Sequence, residues 1–377
     1  MKNCSIPINK PPTEDELEIS LFGPGVGECI VAHIGNGQWV IIDSCTDNLS
    51  KEPIALQYLR QLGIDLAESV CLIVISHWHD DHIKGMAKLV SHCTKARIAH
   101  PQALLQKEFL TLVTTFNNPE SIVDRGKNGV TEMANVIKEI SKREAKNKGY
   151  IQSMLVPAGA DRCFINEKHP EIGKIEVWSL SPSDASYNMA LQNFARLYQD
   201  ITNDEYLKVI PSQTPNKNAV VLLVSVGNIT ALLGADLEDG KCPYTGWTAI
   251  LNSTGRPKQK SQIFKIPHHG SATAYNRNVW TDMLIPNSTA ILTTYSRGKT
   301  PIPTQEQINL LKSHTNNLYL TSLPKTKKHK RNHTVEKMMK EIVEDRQIIS
   351  GTMGHIQIRA SKDNINVRCA LPAYKIT

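Results

Sequence analysis

The sequence has no uninterrupted apolar run approaching the roughly 20 residues a membrane helix needs. Its most apolar stretch, Ala219 to Ala235, is broken by Ser225, Gly227, Asn228 and Thr230, and reads as two strands and a turn. No secretory pattern opens the chain: Met1-Lys2 is followed by scattered polar residues, prolines and the acidic run Glu14-Asp15-Glu16. The eight cysteines are dispersed and form no CxxC pair, so no disulfide framework is expected and a reducing, cytoplasmic compartment is. GxxxxGK[ST] and GxSxG are both missing, which leaves phosphate-loop and serine-hydrolase readings without support. Gly23-Pro24-Gly25-Val26-Gly27 is followed by Glu28 and a strand pattern, which is not the dinucleotide fingerprint. No repeat of fixed period occurs.

What is present is ordinary globular composition. With 377 residues, 40% hydrophobic and 21% charged, the chain can bury a real core as one large α/β domain with insertions, or as two modest ones. Lys and Arg number 43 against 36 Asp and Glu, a net charge of +7 that mildly favours a polyanionic partner.

Short strands are expected at Leu17 to Phe22, Glu28 to His33 and Trp39 to Asp43, and a helix at Ile54 to Leu62 ended by Gly63. Val70 to Ile75 is continuous and β-rich, as in a strand buried on both faces. Helical spacing resumes at Ile83 to His92, and Ala96 to Ala99 reads as a strand. From Gln102 to about Lys148 the chain turns polar and helical, as an insertion over a sheet would. Ala185 to Tyr206 is a second helical stretch, following a strand at Ile175 to Leu180. Strand patterns return at Ala219 to Val226, Ile229 to Leu233, Ile263 to Ile266, Ala290 to Tyr295, His355 to Arg359 and Asn364 to Cys369, with a helix at Gln305 to Ser313. Lys325, Lys327, Lys328, Lys330 and Arg331 form a basic cluster in an expected loop, more often solvated than nucleic-acid binding.

The informative segment is Ser76-His77-Trp78-His79-Asp80-Asp81-His82, which begins where a buried strand ends and runs into a helix. Side chains at the carboxyl end of a strand gather at the mouth of the sheet. In turning backbone His77 and His79 can point at one metal ion, with Asp81 and His82 a short turn further on beside a second. Imidazoles with a carboxylate suit Zn²⁺, Mn²⁺ or Fe with positions left for water. Packing alone does not account for three histidines and an aspartate after an apolar strand.

This HxHxDH pattern resembles the metallo-β-lactamase fold superfamily, whose members are mostly two-metal hydrolases. Gly25-Val26-Gly27-Glu28-Cys29-Ile30 and Trp39-Val40-Ile41-Ile42-Asp43 look like its opening hairpin, Leu232-Leu233-Gly234-Ala235-Asp236 like the strand ending in the bridging aspartate, and Lys265-Ile266-Pro267-His268-His269-Gly270-Ser271 like the segment supplying the last histidine. The likeness spans roughly residues 17 to 300. Within the superfamily, "GVGEC", "LLGAD" and "PHHGS" look most like the soluble lactamase-like domain of the competence DNA-uptake protein ComEC, whose relatives are thought to cut phosphodiesters. One departure stands out: where many members place a further histidine before the bridging aspartate, this chain has Asn216, Lys217 and Asn218.

The resemblance implies an α/β fold, an αβ/βα four-layer sandwich over residues 1–300 with a helical insertion at about 102–148, and a C-terminal α/β extension at 301–377 packed on the core. It implies two divalent metal ions, Zn²⁺ or Mn²⁺, held by His77, His79, Asp81, His82, Asp236 and His268, with Asp81, His269 and Asp43 in the reaction and a bridging water acidified to hydroxide. His268 and His269 do not easily both coordinate from adjacent positions, so one of them is expected to contact substrate or protonate the leaving group. Asn218, Lys265 and Ser271 are expected to contact substrate. Asp43 as a turn cap, Asp236 as a helix cap, and Lys265 and Ser271 as a solvated lysine and a turn serine are the structural alternatives. The expected activity is a phosphodiesterase or nuclease acting on DNA, RNA or a nucleotide. Hydrolysis of another ester, amide or thioester is the first rival. A metal-stabilised subunit that docks a partner protein through its helical insertions is the second.

Overall fold

A strand that is apolar at nearly every position must be covered on both sides, and this chain has many. The computed structural model describes residues 10–23, 27–105, 109, 129–146, 155–203, 215–240, 242–296, 300–324, 334, 338, 342, 353–362 and 364–377. Two eight-stranded mixed sheets lie in it. The first contains Leu17–Gly23 (β1), Cys29–Ile34 (β2), Trp39–Ile42 (β3), Val70–Val74 (β4), Arg97–Pro101 (β5), Leu155–Ala158 (β6), Gly354–Ser361 (β14) and Asn364–Ala370 (β15), in the order β15-β14-β1-β2-β3-β4-β5-β6. The second contains Arg162–His169 (β7), Gly173–Ser179 (β8), Leu222–Val226 (β9), Ile229–Leu233 (β10), Ser261–Lys265 (β11), Leu284–Leu292 (β12), Leu318–Leu320 (β13) and Tyr374–Lys375 (β16), in the order β16-β13-β12-β11-β10-β9-β8-β7.

The sheets share a plan. Antiparallel pairing runs from β14 through β1 and β2 to β3, after which β3, β4, β5 and β6 are parallel. Likewise β7 to β10 pair antiparallel, and β10, β11, β12 and β13 are parallel. Between the sheets lies one apolar cluster drawn from both, including Leu17, Ile19, Ile42, Val74, Val177, Val224 and Ile291. A second cluster seats the helices Ile54–Gln61, Met86–His92 and Gly129–Lys146 on the outside of the first sheet, and a third seats Gly246–Asn252 and Arg277–Asp282 on the outside of the second. Helix, sheet, sheet, helix: the expected four-layer αβ/βα sandwich is what the residues build.

The segment after residue 300, expected as an extension, is woven into both sheets. β14 pairs with β1 over seven residue pairs, from Leu17–Ala360 to Gly23–Gly354, and β13 and β16 extend the second sheet. Gln102–Leu105 forms a 3-10 turn and Gly129–Lys146 a helix, while most of the intervening insertion lies outside the described residues, as do the basic cluster at 325–331 and the turn at 24–26. The expected helix at Ile83 to His92 is divided by Gly85, whose φ of 85° is easy only for glycine. A Cβ there would stand 3.0 Å from Thr46 Cγ2 as well. No helix among the described residues is long and apolar enough to cross a membrane, and no disulfide joins the described cysteines to one another.

Candidate metal centre

The carboxyl ends of β4, β10 and β11 meet at one edge of the sandwich. β4 gives way to the loop 76–82, whose Ser76 carbonyl accepts a bond from Val220 N of the second sheet at 3.0 Å. His79 then starts the short helix Asp80–Ile83, accepting from His82 N (3.0 Å) and Ile83 N (3.1 Å), and this turn carries Asp81 and His82 towards the centre. From the other sheet, Gly234 N donates to Lys265 O (3.1 Å) and His268 N to Ala235 O (3.0 Å), which fastens the ends of β10 and β11 together. A side chain at Gly234 would place its Cβ 2.8 Å from the Lys265 carbonyl oxygen, so only glycine permits this approach.

Asp81, His82, Asp236 and His269 converge, with ligand atoms all within 4.8 Å of one another. His82 Nε2 lies 3.2 Å from Asp236 Oδ2 and 3.8 Å from Asp81 Oδ2. His269 Nε2 lies 3.6 Å and 3.5 Å from the same two oxygens. Among the described residues, Nε2 of His82, Nε2 of His269 and Oδ1 of Asp236 are buried without a hydrogen-bond partner. Buried polar atoms are rarely left so, and two imidazole nitrogens facing two carboxylates form a donor set that fits a divalent cation. His77 Nε2 and His79 Nδ1 approach to 3.2 Å beside this group, and the His77 ring stands 4.2 Å from that of His82. A second group of close ligand atoms among the described residues is that of Asp43, His77 and His82.

The electrostatics agree with a cation-binding centre. Burial disfavours a charged His82, yet the carboxylates of Asp236, Asp81 and Asp43 outweigh it and raise its pKa well above the imidazole value. Burial likewise opposes charge on Asp236 and Asp81, and the facing imidazoles nonetheless hold both below the usual carboxylate range. His77 is driven the other way, first by burial and then by the neighbouring His82 and His79. The carboxylates thus favour positive charge at His82, and a divalent cation held there would meet the same field in place of the proton.

Behind these groups lies a supporting layer. Asp43 is buried; its Oδ2 accepts from His82 Nδ1 at 2.7 Å and Ser76 Oγ at 2.6 Å, and its Oδ1 from Ser76 N at 2.7 Å. It aims His82 from outside the cluster around Asp236, as a positioning residue does, and with His77 and His82 it forms a second group whose ligand atoms lie within 4.8 Å of one another. On the opposite side His269 Nδ1 donates to Thr293 Oγ1 at 2.8 Å, and Thr293 donates onward to Glu28 Oε2 at 2.5 Å, which leaves His269 Nε2 bare.

Several expected positions are corrected. His269, not His268, joins the carboxylates. His268 Nε2 accepts from Asn216 Nδ2 (3.1 Å), its Nδ1 faces Glu238 Oε1 (3.3 Å), and its side chain is 21% exposed. Lys265, expected to touch substrate, is fully buried: Nζ lies 2.5 Å from Glu28 Oε1 and 3.8 Å from Asp236 Oδ1, and donates to Ala235 O at 2.7 Å. Ser271 accepts from Thr273 N and caps a 3-10 turn. Asn218 stands beside His77 in the wall of a pocket. Glu28 and Thr293 were missed. A lone acid before the apolar run Cys29–Ile34 and a lone lysine ending Ser261–Lys265 were the available sign that two charges meet in the core.

The metallo-β-lactamase superfamily model matches residues 22–132, from the end of β1 into the helix Gly129–Lys146. The fold is the metallo-β-lactamase sandwich. The match supports a place in that superfamily, and with the clustered histidines and aspartates it suggests a metal-dependent hydrolase. Among solved structures the chain is similar to a metallo-β-lactamase from Cronobacter sakazakii with an HARLDQ motif (12% identity, 65% of this chain and 76% of that chain, TM-score 0.32). It is similar also to MEM-A1, a subclass B3 metallo-β-lactamase from a soil metagenome library (13%, 70% and 83%, TM-score 0.31), and to the metallo-β-lactamase fold protein YhfI from Bacillus subtilis (10%, 67% and 70%, TM-score 0.31). No curated protein matches the chain.

Proposed function

We propose that this metallo-β-lactamase-fold chain is a metal-dependent phosphodiesterase, with nucleic acid or a nucleotide as substrate. The observation that carries the reading is the pair of bare, buried imidazole nitrogens, His82 Nε2 and His269 Nε2, facing Asp81 and Asp236. Asp81, His82, Asp236 and His269 would hold one divalent ion, and His77 with His79 a second, Zn²⁺ or Mn²⁺. Such ions supply Lewis acidity and lower the pKa of water at neutral pH. The chain's own side chains set the geometry. Asp43 fixes the ring of His82, and Thr293 with Glu28 fixes that of His269. His268, partly exposed and held by Asn216 and Glu238, is left to contact substrate. A phosphodiester suits two adjoining cation sites because its non-bridging oxygens can meet both, and the net charge of +7 accords with a polyanion.

The test is turnover by the metal-loaded chain with Mn²⁺ or Zn²⁺, using bis-p-nitrophenyl phosphate, single-stranded and plasmid DNA, cyclic nucleotides, a thioester and nitrocefin. Diester cleavage that disappears in Asp81→Ala and Asp236→Ala is expected. Turnover of nitrocefin or the thioester alone would move the reading to another carboxyl derivative. Stoichiometric metal binding with no turnover would move it to a subunit that works with a partner protein.

A further inference from the structure

Glu28, which precedes β2 in the first sheet, and Lys265, which ends β11 in the second, meet as a fully buried ion pair. Taking two charges out of water is expensive, and well-packed apolar residues often stabilise a fold as well or better. Stability alone is therefore a poor reason for the pair, and its further hydrogen bonds show where else it acts. An ammonium has three donors and a carboxylate two accepting oxygens. Lys265 Nζ lies 2.5 Å from Glu28 Oε1 and donates at 2.7 Å to the carbonyl of Ala235, the residue before Asp236. It also lies 3.8 Å from Asp236 Oδ1. Glu28 Oε2 accepts at 2.5 Å from Thr293 Oγ1, which holds His269 Nδ1 at 2.8 Å. The main chain of Glu28 adds a third tie, its N–H donating to Asp81 O at 2.9 Å. The pair thus reaches Asp81, Asp236 and His269, directly or through one side chain, while His82 of the same cluster is aimed by Asp43.

We propose that Glu28 and Lys265 are positioning residues of the metal centre, acting as one unit that sets both cluster residues supplied by the second sheet. The inference rests on the metal-binding half of the proposed function and is independent of which substrate is cut. The lysine end fixes the turn that presents Asp236. The glutamate end fixes the ring of His269 through Thr293, so that its Nε2 faces the carboxylates. Because Glu28 belongs to the first sheet and also holds the Asp81 main chain, the pair keeps the contributions of the two sheets at one spacing. Groups that orient metal-binding side chains in this way typically carry about 10–100-fold in metal affinity. Replacing both charges together separates the two roles, since it leaves no uncompensated buried charge and yet removes the positioning.

The experiment uses the full-length protein. Zinc affinity is measured by competition with a chelating dye, and stability by urea denaturation of the metal-free chain. The double variant Lys265→Met with Glu28→Gln is expected to keep a urea midpoint close to that of the wild type while binding zinc at least about tenfold more weakly. Wild-type zinc affinity in the folded double variant overturns the proposal and leaves the pair a packing feature. Thr293→Val and Thr293→Ser test the glutamate arm on their own, and they decide the matter if the double variant does not fold. The valine variant is expected to lose at least about tenfold in zinc affinity, and the serine variant, which keeps the hydroxyl, to stay within about threefold of the wild type. Equal affinity in the two threonine variants overturns the proposal. A wild-type chain that binds no zinc overturns the metal-centre reading, and the role of the pair with it. Zinc binding without diester turnover counts against the phosphodiesterase reading alone.

Discussion

The two sheets reach the same centre by different routes. The first delivers His77, His79, Asp81 and His82 from one continuous loop after β4, close to ordinary strand-turn-helix geometry. The second delivers Asp236 after β10 and His269 after β11, with Ala235 (φ 44°), His268 (φ 46°) and His269 (φ 53°) all in the left-handed region. Such residues cost of order 1–3 kcal/mol each and persist only where the surroundings enforce them. Here the fastening is the Gly234–Lys265 and His268–Ala235 backbone bonds and the buried Lys265–Glu28 pair. A contiguous loop brings several side chains to the cluster with little distortion; joining single residues from two strand ends takes strained backbone and buried charge. On the first sheet's side Asn36 (φ 51°) and Lys51 (φ 58°) lie in turns, and Asp43 (φ 59°) is the left-handed residue beside the centre, where it supports His82.

This contrast can be broken experimentally. Removing a cluster carboxylate from either side, Asp81→Ala or Asp236→Ala, should cost on the order of 10³-fold in turnover or more, measured as kcat/KM with saturating metal. A loss confined to one side would mean that the halves do not share one centre. Lys265→Met should destabilise the protein by about 3–5 kcal/mol in urea, because Glu28 is left buried and uncompensated, and adding Glu28→Gln should restore much of it. A Lys265→Met loss below 1 kcal/mol would show that the strained side does not depend on that pair. Asp43→Asn and Thr293→Val remove the supports of His82 and His269, and each should weaken metal affinity by about 10–100-fold in competition with a chelating dye. An effect from only one of them would break the symmetry of the supporting layer.

Titration separates the sheets on a smaller scale. Burial lowers His33 on β2 and His100 on β5 to about 4, and His355 on β14 to about 3. For His33, acceptance by the Glu16 carbonyl offsets part of that burial. Each has a folded pKa below its ordinary value of 6.5, so between these limits the unfolded chain takes up a proton that the folded chain refuses. Their contribution is complete above pH 6.5 and is lost as pH falls towards 4, by about 1.4 kcal/mol per pH unit per histidine. Denaturation of the metal-free protein across that window should show the slope, and His355→Phe should flatten it. An unchanged slope would mean His355 is protonated in the folded state. Smallest of all, Ser271→Ala should cost no more than about 1 kcal/mol as a lost turn cap and leave turnover within twofold. A tenfold loss would return Ser271 to the substrate.

The difference between the sheets also explains what the sequence made legible. The loop 76–82 is readable because its histidines and aspartates are neighbours and the strand before it is uniformly apolar. Asp236 and the 268–269 pair are readable as positions, but the choice between His268 and His269 depends on two left-handed residues that no residue pattern announces. Lys265 looked like a surface cation, since Glu28, its partner, is 237 positions away in sequence and meets it only in the folded core. β6, β7 and β13 were not anticipated: Arg162–His169 is largely polar, and Leu318–Leu320 is three residues long, too short for a period-two pattern. The integration of residues 354–370 into the first sheet depends on pairing with β1, more than 330 positions away, which local pattern does not encode.

The most direct test is an anomalous difference map from crystals of the zinc-loaded protein, recorded at the zinc edge. A peak about 2.0–2.2 Å from Nε2 of His82 and of His269 and from carboxylate oxygens of Asp81 and Asp236, with His268 outside the coordination shell, is the expected result. A peak bound through His268, or none between the two sheets at this cluster, would contradict it.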